Sequence, residues 1–227
     1  MMEEEWLKCN NLEAMLYELR LKEFDSSRVP VYISTFAENG RVRKLLTPEM
    51  QRAFDDYVRW VQEDGPNPAT LYPQFTEFDP LEKQIIDAWA VNHELRHLIG
   101  RPLSSWAWWD AGSFVMTEAY SKPVVGQWHR QPTPDTAELL RASANRLRDV
   151  VGNPFRPVTF SPEWRTETTI ALARQMYTSR DFSAMPILAD ALQDAGCDNS
   201  DVLNHCRDTG ATHVRGCWVV DMVLRKS

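Results

Sequence analysis

Glycine, positive charge and long apolar runs are all scarce in this 227-residue sequence, and each shortage removes a class of function. The nine glycines form neither a phosphate-cradling Gly-rich loop nor a Gly-x-Ser-x-Gly nucleophile elbow. Lys and Arg number 25 against 32 Asp and Glu, a formal net charge of −7, so no chain-wide basic field exists to hold nucleic acid or an anionic membrane. No apolar run approaches the roughly 20 residues that a membrane-spanning helix needs. The opening Met1-Met2-Glu3-Glu4-Glu5 is acidic where a secretory leader is basic and then apolar, so a cytoplasmic location is expected. The four cysteines, Cys9, Cys197, Cys206 and Cys217, include no Cys-x-x-Cys pair, and without an export leader they are expected as reduced thiols.

What the sequence does have is helix punctuation. Thr47-Pro48-Glu49, Thr133-Pro134-Asp135 and Ser161-Pro162-Glu163 each set a capping residue before a proline at the first helical position. Asp79-Pro80-Leu81-Glu82 adds an acid three residues after its cap. These predict helices near 48–63, 80–99, 134–151 and 162–178, and further short helices follow over 185–195 and 214–224. An apolar stripe of Trp6, Leu7, Leu12, Met15, Leu16 and Leu19 predicts another over 3–22. Val29 to Phe36 is β-branched and aromatic and could form a short strand, a reading the sequence leaves open, while Gly152-Asn153-Pro154 to Pro157 must be a loop. The expected fold is mainly α: a compact multi-helix domain with Pro-rich connecting loops and at most one short strand or hairpin. It is read as one domain over 1–227, whose natural subdivisions are 1–64, 80–151 and 152–227.

Two regions carry a resemblance. The C-terminal residues Leu147-Arg148-Asp149, Gly152-Asn153-Pro154-Phe155-Arg156-Pro157-Val158, Leu188-Ala189-Asp190-Ala191-Leu192, Ala195-Gly196-Cys197, His205-Cys206-Arg207 and His213-Val214-Arg215-Gly216-Cys217-Trp218-Val219-Val220-Asp221 are specific. With the opening Glu3-Glu4-Glu5-Trp6-Leu7 and Met15-Leu16, this pattern resembles a paralogous protein family of planctomycete bacteria of the Gemmata type. About half of the chain is covered, and the middle, near 65–135, departs from the pattern. The resemblance implies a source and a helical architecture, and brings no activity with it.

The sharpest chemical motif is His93-Glu94-Leu95-Arg96-His97, which resembles the His-Glu-x-x-His of zincin metallopeptidases. Two histidines four apart share a helix face and can hold one zinc ion, and the adjacent glutamate can act as base on the metal-bound water. A third ligand is needed. The metzincin slot that follows Gly100 is filled by Leu103, which cannot serve. Glu118, in Thr117-Glu118-Ala119-Tyr120-Ser121, resembles the downstream glutamate of thermolysin-like enzymes, although Thr117, Lys122 and Pro123 depart from that pattern. His129 and Asp110 are weaker candidates, and Arg96 sets a cation where metal binding disfavours one. The same histidines read equally as packed against tryptophan and bonded to a carboxylate.

Cys197, His205, Cys206, His213 and Cys217 place five soft donors within 21 residues. The candidate set for a structural metal is Cys197, Cys206, His213 and Cys217, at spacings that match no standard finger. Buried packing is the plainer role for these cysteines. Trp106, Trp108 and Trp109 cannot all point inward from one helix, so they form either a packing layer or an interface. Arg141, Arg146, Arg148 and Arg156, interrupted by Asp149, read as a solvated helix face. The expectation is therefore a helical interaction or scaffold module with a protein partner, without catalysis or cofactor. The alternative is a zinc-dependent hydrolase of the peptidase type, using His93, His97 and Glu118 as ligands and Glu94 as base.

Overall fold

A computed structural model describes residues 1–25, 27–36, 48–63 and 134–226 of the chain. The predicted helix over 80–99 and the tryptophan cluster lie outside the described residues. What is described is mainly helical. The elements are α1 (Glu3–Lys8), α2 (Leu12–Leu21), α3 (Arg28–Ser34), α4 (Pro48–Glu63), α5 (Pro134–Val151), a single 3₁₀ turn (Pro162–Trp164), α6 (Glu167–Ser179), α7 (Met185–Asp194), α8 (Ser200–Arg207) and α9 (Trp218–Leu224). Among the described residues no strand forms, and no helix is long and apolar enough to cross a membrane.

The chain divides into two units, Met1–Ala144 and Asn145–Ser227. In the first, α1 and α2 are separate helices where the apolar stripe predicts one. Cys9 is extended, and the Asn11 carboxamide accepts from the Ala14 N–H at 3.1 Å, so Asn11 restarts the helix. The stretch 29–36, for which the sequence left a short strand open, is α3. A short, mostly buried apolar run does not distinguish a strand from a buried helix, and Val29, Tyr32, Ile33 and Ser34 are all buried. Pro30 sits in the first turn, where its missing N–H costs nothing. The α3 helix packs on α4, burying Tyr32, Phe36, Phe54 and Tyr57, while Gln62 donates to Ser34 Oγ at 3.3 Å.

The C-terminal unit begins inside α5 and is built on α6, α7, α8 and α9. The helix expected over 162–178 splits because two caps compete. Ser161 holds the 3₁₀ turn, then Thr166 Oγ1 accepts from the Thr169 N–H at 3.2 Å and starts α6. Asn199 caps α8 by accepting from Asp201 and Val202 at 3.0 and 3.1 Å. The last helix begins at Trp218, four residues later than the sequence pattern suggests, with Cys217 as its N-cap. The core joins Ala173, Met176, Leu188, Leu192, Val202 and Val219, with Trp218 at its edge.

Two left-handed glycines end helices here. Gly196 (φ +87°) closes α7, returning its N–H to the Gln193 carbonyl at 2.9 Å. Gly152 (φ +73°) follows α5, and a Cβ there would sit 3.2 Å from the Trp218 ring, whereas at Gly196 it would meet nothing. Gly196→Ala is therefore expected to cost about 1 kcal/mol, the left-handed penalty alone, and Gly152→Ala about 2–3 kcal/mol because the indole must also move. Chemical denaturation of the two variants checks this, and equal losses would contradict the close approach of Trp218.

Candidate functional site

Asp149 occupies the last turn of α5, where the helix dipole disfavours a negative charge. The flanking Leu147, Val150 and Val151 face the core and carry Asp149 in with them, leaving its side chain 2% exposed. Its two oxygens have separate partners. Oδ2 accepts from the backbone N–H of Val214 at 2.8 Å. Oδ1 lies 2.9 Å from Nδ1 of His213 and 3.3 Å from Nε2 of His205. Burial alone raises this carboxyl, but the hydrogen bonds and charge of the two imidazoles outweigh it and hold the group below its ordinary range.

His205 comes from the last turn of α8, and its Nε2 also lies 3.2 Å from Cys217 Sγ. Its ring meets His213 edge-on, centroids 4.9 Å apart, and stands 5.2 Å from the Trp218 ring. Asp149, His205, His213 and Cys217 each bring one donor atom within 4.8 Å of the other three. Burial and the negative charge of Asp149 push the Cys217 thiol up, against the opposing N–H groups of Val220 and Val219.

The structure places Cys197 and Cys206, two members of the sequence-derived donor set, in the apolar core, while His213 and Cys217 converge with Asp149 and His205. Burial pushes the Cys206 thiol up to about 12, and burial also raises Cys197. Asp149 entered the sequence reading only as a break in an arginine strip and as part of the Leu147-Arg148-Asp149 resemblance, not as a site residue. Its signal was an acid at a helix C-terminus amid core positions. His93, Glu94, His97, Glu118, Trp106, Trp108 and Trp109 lie outside the described residues.

This arrangement cannot work as a thiol relay. A Cys–His–Asp relay divides the two imidazole nitrogens between nucleophile and carboxylate. Here Nε2 of His205 faces both Sγ and Oδ1, and Cys217 is fully buried.

A second feature of the same unit is open to solvent. A groove of about 590 Å³ between α6 and the end of α9 is lined by Arg165, Arg174, Arg225 and Lys226 around Tyr177 and Ile170. Among the described residues none that lines it is acidic. Arg165 donates to the Met222 carbonyl at 2.9 Å, and Lys226 stands 4.9 Å over the Tyr177 ring. Burial, and then the neighbouring charge of Arg225, lower the Arg165 guanidinium from its ordinary value, the latter a sign of like charges crowded together.

No family model matches this chain, and no curated protein or solved structure does either.

Cys9 is half-buried, whereas Cys197, Cys206 and Cys217 are closed to solvent. With an aromatic disulfide reagent, one thiol per native chain is expected to react promptly and all four in denaturant. Prompt native labelling of Cys206 would contradict the packing described.

Proposed function

We propose that the chain is a non-catalytic interaction module whose C-terminal unit docks an acidic protein segment in the groove between α6 and α9. The observation that carries this reading is the groove itself, with four cations, an aromatic floor and no carboxylate among its lining residues. Its volume lies within the range of sites that hold a small ligand or a few side chains. Arginine forks bind carboxylates in pairs, and crowded guanidinium groups gain when an anion separates them. The high thiol values of the buried cysteines and their lack of access support a role without nucleophilic chemistry. The chain's net charge of −7 favours a short acidic peptide over an extended polyanion such as nucleic acid.

Fluorescence anisotropy with a labelled Glu-rich peptide tests the proposal. Binding that weakens with salt, and falls at least about tenfold in Arg174→Glu with Arg225→Glu, is the expected result. Equal affinity for a Lys-rich peptide, or no binding to the Glu-rich one, would exclude it.

The His93-Glu94-x-x-His97 spacing favours a second reading, a zinc-dependent peptidase with Glu118 as third ligand. It requires zinc-dependent peptide hydrolysis that Glu94→Ala abolishes while retaining the metal. Hydrolysis unchanged in Glu94→Ala, or absent from the zinc-loaded protein, removes it.

A further inference from the structure

We infer that Asp149, His205, His213 and Cys217 form a closed binding site for one zinc ion, which ties the end of α5 to the end of α8 and the start of α9. The donor chemistry is that of structural zinc: two imidazoles, a thiol and a carboxylate, all drawn from one unit. The cluster is compact enough for one ion, its four donor atoms all lying within 4.8 Å of one another. Zinc bonds of about 2.0–2.3 Å set tetrahedral donors roughly 3.3–3.7 Å apart. His205 Nε2 lies 3.2 Å from Cys217 Sγ and 3.3 Å from Asp149 Oδ1, close to that spacing, while Oδ1 and His213 Nδ1, at 2.9 Å, must spread by several tenths of an ångström. Small adjustments of side chains turn this cluster into a coordination sphere.

Hydrogen bonding alone explains the cluster poorly. A single N–H on His205 cannot serve a thiol and a carboxylate equally, whereas one cation satisfies both. His213 is 7% exposed, and its Nε2 is buried without a hydrogen-bond partner. That buried, unpartnered nitrogen is a further sign that hydrogen bonds alone do not account for the cluster. The outer shell is also in place. The Val214 N–H on Oδ2 fixes the carboxylate so that Oδ1 faces the imidazoles, as second-shell donors do around metal ligands.

The site is structural rather than catalytic. Catalytic zinc keeps an open position for water, whereas here four protein donors converge and the most exposed, His205, shows only 18% of its side chain. It is also distinct from the His93–His97 motif, with which it shares no residue.

The test uses the full chain, stripped with a chelator and then titrated with zinc or cobalt alone. One zinc per chain is expected by elemental analysis, with a rise in melting temperature on loading. The cobalt form should show a thiolate-to-metal charge-transfer band and the visible bands of a tetrahedral site. His205→Gln, at the outer edge of the cluster, and Cys217→Ser should each weaken binding by more than about 100-fold. The double variant His93→Ala with His97→Ala should keep this ion. Should Cys217→Ser not fold, the cobalt spectrum of the parent chain still decides. No bound metal, a cobalt spectrum without the thiolate band, or metal that survives His205→Gln and leaves with His93→Ala and His97→Ala, each overturns the inference.

Discussion

One buried carboxylate organises the C-terminal unit. Asp149 reaches from the end of α5 to an imidazole and a backbone N–H 64 and 65 residues further along the chain, and to a second imidazole on α8. A charge 2% exposed is tolerable only while its partners stay in place. Removing one partner of a buried charged pair typically costs about 3–5 kcal/mol, a large part of the 5–15 kcal/mol that holds a domain folded. The loop from His213 to Cys217 makes one turn, closed by the Cys217 N–H on the Val214 carbonyl at 2.9 Å, and the Asp149 contacts help to set where that turn lies and hence where α9 begins.

That dependence extends to the groove. Cys217 caps α9 at one end, and Arg225 and Lys226 leave its other end to form a wall of the cationic groove. Trp218 packs on Gly152 on one side and near His205 on the other, which joins the α5 terminus to the same helix. A short helix of seven residues has little stability of its own, so its position comes from these tertiary contacts. The buried cluster and the exposed groove are thus two ends of one mechanical element.

Much of the helical framework was legible in the sequence because caps and prolines are local signals. The start of α4 at Pro48 and the loop after Val151 follow directly from them. That α3 stayed open between strand and helix has a physical source: Val29 to Phe36 is largely apolar and mostly buried, and periodicity carries little information in so short a run. The split of α6 from its 3₁₀ turn turned on two capping residues five positions apart, Ser161 and Thr166. Of the converging side chains, His213 and Cys217 were readable as soft donors close in sequence. Asp149 was not, since its role depends on a contact across more than sixty residues that no local pattern encodes.

The amide of Val214 reports on this account most directly, because its hydrogen bond to Asp149 ties the stretch before α9 to the end of α5. Native-state hydrogen exchange should find it as slow as the core amides of α9, opening only when the C-terminal unit unfolds, and fast in Asp149→Ala. Exchange at the rate of an unprotected loop in the parent chain would contradict the claim that this carboxylate holds the unit together.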